Sequence, residues 1–433
     1  MRSIGVRPCL CKSPRRPVLP VGFCKNSLAI WRNQMKKTLA AVAVLGAFAG
    51  SALAADVQLY GIVDTGLRYL HSDLDATSAE APNGYDATDT FSMESGMQSG
   101  SRWGLKGTED LGNGLTVGFI LEDGFASDTG AEKDQMFDRE SSLFIQGGFG
   151  KLAMGRIGSI NGGVSSWGKQ GMMSAFGTSW GGYAAQADTV FGGSGKWDNM
   201  IAYETPNFAG FTVFAQYGMG SNDYENESGS DRYYAIGATY ANGPLNLYFA
   251  VDSINYKTAG LTAAEGAADD IDDSLTVRFG GNYDFEVVKL FAGAAYFDEV
   301  RLSSFSGAAT DLVDLAAENM LNVEDGSKYV YVKGWSLGIS AAIPAAGGNV
   351  LLGASYMDAE SADSMDDRMG GWLGGVDLNR WIVSAGYDYP LSKRTNIYGV
   401  VTYNQDSFDH NTSGVEDEDP TVFGAMIGIR HKF

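Results

Sequence analysis

Cysteine is confined to one end of this chain. All three (Cys9, Cys11 and Cys24) precede Met35, so the rest of the chain has none. That excludes a disulfide framework, a thiol nucleophile and a Cys-ligated metal from the bulk of the protein. Histidine is as scarce, with only His71, His410 and His431. Chemistry that needs an imidazole beside a nucleophile or an activated water has little to draw on. Beyond residue 54 there are six prolines, all at turn-like or loop positions. No run of 18 apolar residues follows residue 54 either, so any membrane span there must be made of strands. Positive charge is the last deficit. The chain has 31 Lys and Arg against 52 Asp and Glu, and nine of those 31 fall in residues 1–54, which hold no acid. Residues 55–433 therefore carry 22 basic and 52 acidic side chains, a balance of −30. Such a chain repels nucleic acid and attracts cations diffusely.

The basic N-terminus has its own logic. Met35-Lys36-Lys37 is a charged start, Leu39 to Ala49 an apolar run, and Ala52-Leu53-Ala54 a small-residue cleavage site. That order is a secretory signal peptide over 35–54, leaving a mature chain that begins at Ala55. Residues 1–34 lie upstream of this start and carry seven Lys or Arg and four Pro. They are expected to be an over-extended gene start or a disordered leader.

What fills the mature chain is alternation. Val57, Leu59, Gly61, Val63, Thr65, Leu67 and Tyr69 alternate with Gln58, Tyr60, Ile62, Asp64, Gly66, Arg68 and Leu70. In the last twelve residues Phe423, Ala425, Ile427, Ile429, His431 and Phe433 share one face. The other face is small or charged there, as in a strand between lipid and water. Similar segments recur at about 101–110, 115–125, 140–149, 151–159, 199–205, 210–218, 232–241 and 245–256. They continue at 274–285, 287–300, 333–343, 348–358, 379–390 and 394–405, making sixteen in all. Tight turns such as Gly112-Asn113-Gly114 and Asn242-Gly243-Pro244 alternate with eight longer connections, near 71–100, 126–139, 160–198, 219–231, 257–273, 301–332, 359–378 and 406–421. A soluble sandwich has no reason to keep every long connection on one side. An outer-membrane barrel does.

The long connections hold much of the acid. Residues 71–100 and 406–421 contain acids and no Lys or Arg. Clusters such as Asp269-Asp270 with Asp272-Asp273 could gather divalent cations against lipopolysaccharide phosphates, although a solvated rim explains them as well. Residues 311–320 suit a short helix.

LYGIVDTG (59–66), SRWGLKGTEDLGNGL (101–115), FGKLAMGRIG (149–158), AYETPNFAGFTVFAQYG (202–218) and the final IGIRHKF resemble the general diffusion porins of Gram-negative outer membranes, above all the β-proteobacterial branch. The resemblance runs from about Asp56 to Phe433 and implies a 16-stranded antiparallel transmembrane β-barrel with an inward-folded third loop. It also implies a homotrimer, with Phe433 read by the outer-membrane barrel assembly machinery. Sixteen strands leave an aqueous channel, and charged side chains facing each other across the constriction set its selectivity. The family's basic wall is matched by Arg102, sharing a face with Lys106, and by Arg156, whose face also carries Leu152 and Met154. Where relatives carry another wall arginine this chain has Ala202 and Glu204, and the central third loop holds only Asp188 as an acid. Asp64, Arg68, Glu122, Arg278, Lys289 and Arg380 also fall on inward parity and are expected as solvated wall residues.

The expectation is therefore an outer-membrane porin for passive diffusion of small hydrophilic solutes and ions, in contact with lipopolysaccharide and outer-membrane lipid, without catalysis, metal or cofactor. The candidate pore-lining set is Arg102, Lys106, Arg156, Asp64, Asp188 and Glu204. The −30 balance, the acidic rim and Glu204 suggest a weak cation preference. Two rivals remain. An aromatic slide of Trp167, Phe176, Trp180, Tyr183 and Phe191 would make a sugar- or amino-acid-specific channel. A barrel enzyme would need His71 or His410, with Asp406 and Ser407 nearby.

Overall fold

The computed structural model describes residues 56–73, 87–220, 231–256, 272–305, 331–363, 376–410 and 419–433. The leader, the signal peptide, Asp269, Asp270 and the helix expected at 311–320 lie outside the described residues.

Successive side chains on a strand point to opposite faces, so a chain with one apolar and one small or polar face fixes its own register. The strands are β1 (Gln58–Asp73), β2 (Ala87–Ser95), β3 (Arg102–Gly112), β4 (Leu115–Gly124), β5 (Glu140–Gly147) and β6 (Gly150–Gly158). They continue with β7 (Lys196–Glu204), β8 (Phe211–Gly218), β9 (Arg232–Asn242), β10 (Leu245–Asn255), β11 (Leu275–Asp284) and β12 (Lys289–Arg301). The last five are β13 (Tyr331–Ala345), β14 (Gly348–Ser361), β15 (Val376–Pro390), β16 (Thr395–His410) and β17 (Thr421–Lys432). Every strand pair is antiparallel, and β17 closes on β1 from Ile62↔Lys432 to Asp73↔Thr421. Phe433 donates its N–H to the Gly61 carbonyl at 3.1 Å and accepts the Gly61 N–H at 3.2 Å. The terminal residue thus sits on the seam.

Sixteen staves close the ring. The additional strand is half of one of them. β2 pairs with the outer part of β1 (Thr65–Asp73), while β3 pairs with its inner part (Gln58–Ile62). Together they form one stave broken between Ser95 and Arg102. The connection expected over 71–100 is therefore shorter, because 87–95 extend the first hairpin.

Outward parity is apolar around the ring. Leu143, Ile236, Phe279, Ile339, Val383 and Ile427 are each at least half exposed, a surface suited to lipid rather than water. Rings pair near both rims, for example Phe211 with Tyr240 and Tyr283 with Phe285 at the short-turn end. Trp335 with Tyr356 and Trp381 with Tyr403 do so toward the long loops. The main buried cluster lies inside the ring, where wall residues pack on Trp167, Met173, Phe176, Trp180, Val190 and Phe191 of one inward-folded segment.

Candidate constriction site in the lumen

That segment is the third long connection, residues 159–195, here L3. It sweeps along the inner wall from β8 to β17. Gln216 of β8 accepts the Ile160 N–H at 2.7 Å, and Asn282 of β11 donates to the Met172 carbonyl at 3.0 Å. Ser340 of β13 accepts the Ala175 N–H at 2.8 Å, and Ser384 of β15 that of Ala185 at 2.9 Å. The Thr402 hydroxyl of β16 donates to the Tyr183 carbonyl at 2.7 Å. At the start of β5, the buried Glu140 accepts the Ser166 N–H at 2.8 Å and its hydroxyl at 3.1 Å.

The wall makes room for L3 with glycines at inward positions of neighbouring strands. A Cβ on Gly280 would lie 2.8 Å from Met173, one on Gly293 2.8 Å from Phe191, and one on Gly353 2.9 Å from Phe176. Gly338 is held to 3.0 Å by the same Phe191 ring. The large side chains of L3 fill the space that these residues leave, at interior packing density. Trp167, Phe176, Trp180 and Phe191 are at most 4% exposed and seat the loop, whereas Tyr183 is half-buried.

Two arginines complete the seat. L3 contains a short helix, α1 (Ala187–Phe191). Arg380 binds Asp406 through Nε and Nη2 at 2.8 and 2.9 Å and donates Nη1 to the Thr189 carbonyl at 3.0 Å. Arg278 binds Asp252 at 2.6 Å and donates Nε to the Phe191 carbonyl at 2.8 Å. Both have the inward parity expected, but L3 covers them and they are at most 2% exposed. They are anchors, not solvated wall residues. Asp406 is spent in the same clamp.

What L3 leaves open is the side formed by β17, β1, β3 and β4. A cavity of about 810 Å³ borders it, lined by Arg102, Arg139 and Arg430 on that wall, by Ala175–Trp180 on L3, and by Asp284, Glu286, Lys289 and Asp388 near the short-turn ends of β11, β12 and β15. Glu122 of β4 accepts Arg139 Nε at 2.7 Å and stands 3.6 Å from Arg102 Nε. Arg430 donates to Asn396 at 3.0 Å and to the Ser99 hydroxyl at 2.8 Å, with no carboxylate at ion-pair distance among the described residues. Lys106 projects into the lumen with Nζ 5.1 Å from the Tyr60 ring centre. Lys432 is the register partner of the inward Ile62. Asp388 joins the wall, accepting a hydrogen bond from Asn396 at 2.5 Å.

The expected residues divide accordingly. Arg102 and Asp188 border the cavity, and Lys106 and Glu204 have inward positions, Glu204 at the inner end of β7 opposite Lys151. Asp188 is half-buried, and its Oδ1 has no hydrogen-bond partner among the described residues. Desolvation pushes its carboxyl up to about 7, outweighing the pull of the Arg278 guanidinium. Asp64 is inward but fully buried, so it lines nothing. Arg156 does not face the lumen. It pairs in register with Ser141 on the outward face that carries Leu143 and Met154, and it ion-pairs with Asp198. Arg139 was not in the expected set, because it ends a long connection where strand parity cannot be assigned. Arg430 has inward parity in IGIRHKF but was not in the expected set. His71 hydrogen-bonds Asp89 at 3.0 Å and His431 meets Thr395 at 2.9 Å, both on exposed outward positions.

A family model described as Gram-negative porin matches residues 40–409. The chain belongs to the Gram-negative porin family. An outer membrane porin protein of Bordetella pertussis is 35% identical over 92% of this porin and the whole of that protein. Outer membrane porin protein 32 of Delftia acidovorans is 28% identical over the same shares. Among solved structures, an anion-selective porin from Comamonas acidovorans superposes with a TM-score of 0.60 at 24% identity, covering 88% of this porin and all of that chain. That last likeness concerns the fold. This porin is thus a multi-pass β-barrel of the outer membrane, and its relatives are channels.

Proposed function

We propose that this porin passes small hydrophilic solutes and ions passively and without catalysis, and that its constriction weakly favours anions. One observation carries the preference. Arg102, Arg139 and Arg430 border one cavity opposite Ala175–Trp180, a stretch of L3 with no acid. With Lys133 and Lys289 on the cavity's border and Lys106 and Lys432 on the same wall, seven basic side chains stand against Glu122, Asp188, Asp284, Glu286 and Asp388, Asp64 being buried. Fixed charge at the narrowest height weighs more than charge at the rim, which salt screens within about 10 Å. The cation preference suggested by the −30 balance and Glu204 is therefore replaced. The Comamonas acidovorans porin of the same fold is described as anion-selective, so such a barrel is compatible with this preference.

Reversal potential across a planar bilayer under a KCl gradient tests it. A chloride-side value is expected, and a potassium-side value would overturn the preference. The buried aromatics of L3 favour general diffusion over a sugar- or amino-acid-specific channel. Liposome swelling should then fall smoothly with solute mass, without saturation by one solute. The homotrimer, the contacts with lipopolysaccharide and lipid, and recognition of Phe433 by the assembly machinery are proposed with the family. Phe433 supports the last, being 42% exposed at the end of the closing strand. A heat-modifiable trimer in detergent is expected.

A further inference from the structure

The break in the second stave is tied down at every turn. Six residues, 96–101, stand opposite only Val63 and Asp64 of β1. Four residues are therefore surplus, and Gly96, Gln98, Ser99 and Gly100 border the cavity. Gly96 turns the chain at φ 73°, a left-handed conformation that glycine adopts freely. Asp64 then fastens both ends of the segment. Its carbonyl accepts the Gly96 N–H at 2.8 Å and the Ser101 hydroxyl at 3.0 Å. Its carboxylate accepts the Ser99 N–H at 2.7 Å through Oδ2 and the Tyr398 hydroxyl through Oδ1.

From that knot the segment reaches each part of the constriction. The Met97 carbonyl accepts the N–H groups of Trp180 and Gly181 on L3, at 2.5 and 2.9 Å. The Ser99 hydroxyl accepts Arg430 Nη1 at 2.8 Å, and the Gly100 carbonyl accepts Arg102 Nη1 at 3.1 Å. A Cβ on Gly100 would lie 3.2 Å from Arg139 Nη1. Arg102 and Arg430 bond this one segment, Arg139 lies beside it, and the loop opposite bonds it too.

We propose that residues 96–101 form a selectivity ledge and that Asp64 is its positioning residue, fixing Arg102 and Arg430 beside Arg139 and opposite L3 although it never touches the solute. The solutes discriminated are small anions, so the selectivity arm rests on the anion preference proposed above. The physical reason is geometric. An arginine whose guanidinium is held by fixed acceptors concentrates its field at one level, whereas a free one spreads it along the lumen.

Asp64→Asn separates this role from plain charge counting, because the two have opposite signs. Removing an acid from a wall raises its anion preference if charge alone matters. Loss of the ledge lowers it. The expected result is a fall of about twofold in the chloride-to-potassium permeability ratio in Asp64→Asn, with a smaller fall in Ser99→Ala. Ser99→Ala keeps the backbone bond to Asp64 and loses only the Arg430 contact. Heat-modifiability on gels confirms that each barrel is folded. If Asp64→Asn does not fold, Ser99→Ala and Tyr398→Phe carry the test. A raised or unchanged ratio in the folded variants overturns the ledge. A wild type without anion preference overturns that preference and leaves the ledge to single-channel conductance. There, Asp64→Asn should show a changed level and more open-channel noise, and a record identical to wild type overturns the proposal.

Discussion

The inner wall of this barrel has two halves with the same parity and opposite fates. From β8 to β17 it is overlaid by L3, and its inward arginines, Arg278 and Arg380, lie at most 2% exposed with carboxylates and loop carbonyls. From β17 through β1 to β4 it is open, and Arg102 and Arg430 border the lumen. Strand alternation decides that a side chain points inward. It does not decide whether water or another piece of chain meets it there. The buried half turns its arginines to fixing a loop, and the open half leaves Arg102 and Arg430 at the border of the lumen.

The largest effect is expected where the buried half is broken. Arg380→Met strands the Asp406 carboxylate and leaves the Thr189 carbonyl without that donor. Removing one partner of a buried pair costs about 3–5 kcal/mol. Urea unfolding in detergent should move accordingly, and single channels should flicker as L3 loosens. Next is overpacking. Gly293→Val drives a side chain into Phe191 and Met173, at a cost of about 1–3 kcal/mol. Conductance should fall as L3 is pushed toward the open half.

The open half should answer differently. Arg430→Gln is expected to lower the chloride-to-potassium permeability ratio about twofold, with stability unchanged within about 0.5 kcal/mol. Arg156→Gln, on the outward face, should change neither ratio nor conductance. Equal effects of the two would dissolve the contrast between lumen and exterior. The smallest effect is a pH dependence from Asp188. Its folded carboxyl titrates near about 7, above the ordinary carboxylate range. The folded state thus favours the protonated form, and stability falls as pH rises through that interval and levels off above about 7. Ionisation also adds negative charge beside the lumen, so anion preference should decline modestly between about pH 6 and 8. Asp188→Asn should flatten both trends, which reversal potentials and urea midpoints across that range would show.

Much of the fold was legible in the sequence, because a membrane barrel writes its lipid face and its lumen face on alternate residues. Fifteen of the sixteen staves stand within about five residues of their expected places, and the second reaches back to Ala87. The first hairpin was read short because Ala87–Ser95 carries Asp89, Ser92, Glu94 and two threonines, and its outer half looks like loop. The candidate site was less legible. Arg102 and Asp188, expected from motif and position, border the cavity, whereas Arg156 takes the outward face that its neighbours Leu152 and Met154 share. The cover over Arg278 and Arg380 depends on where a distant loop lies down, which local periodicity does not encode. Its one local trace was the recurrence of glycine at inward positions of β11 to β14.

Accessibility inside the folded barrel tests the division of the lumen most directly. The described residues contain no cysteine, so single cysteines report cleanly. Ser99→Cys lies on the open ledge, and Ser384→Cys lies beneath L3, 3% exposed in its serine form. With a negatively charged methanethiosulfonate reagent, the Ser99→Cys channel should be modified and its conductance reduced. The folded Ser384→Cys channel should stay unmodified until it is unfolded. Equal modification of both in the folded state would contradict a lumen half covered by L3.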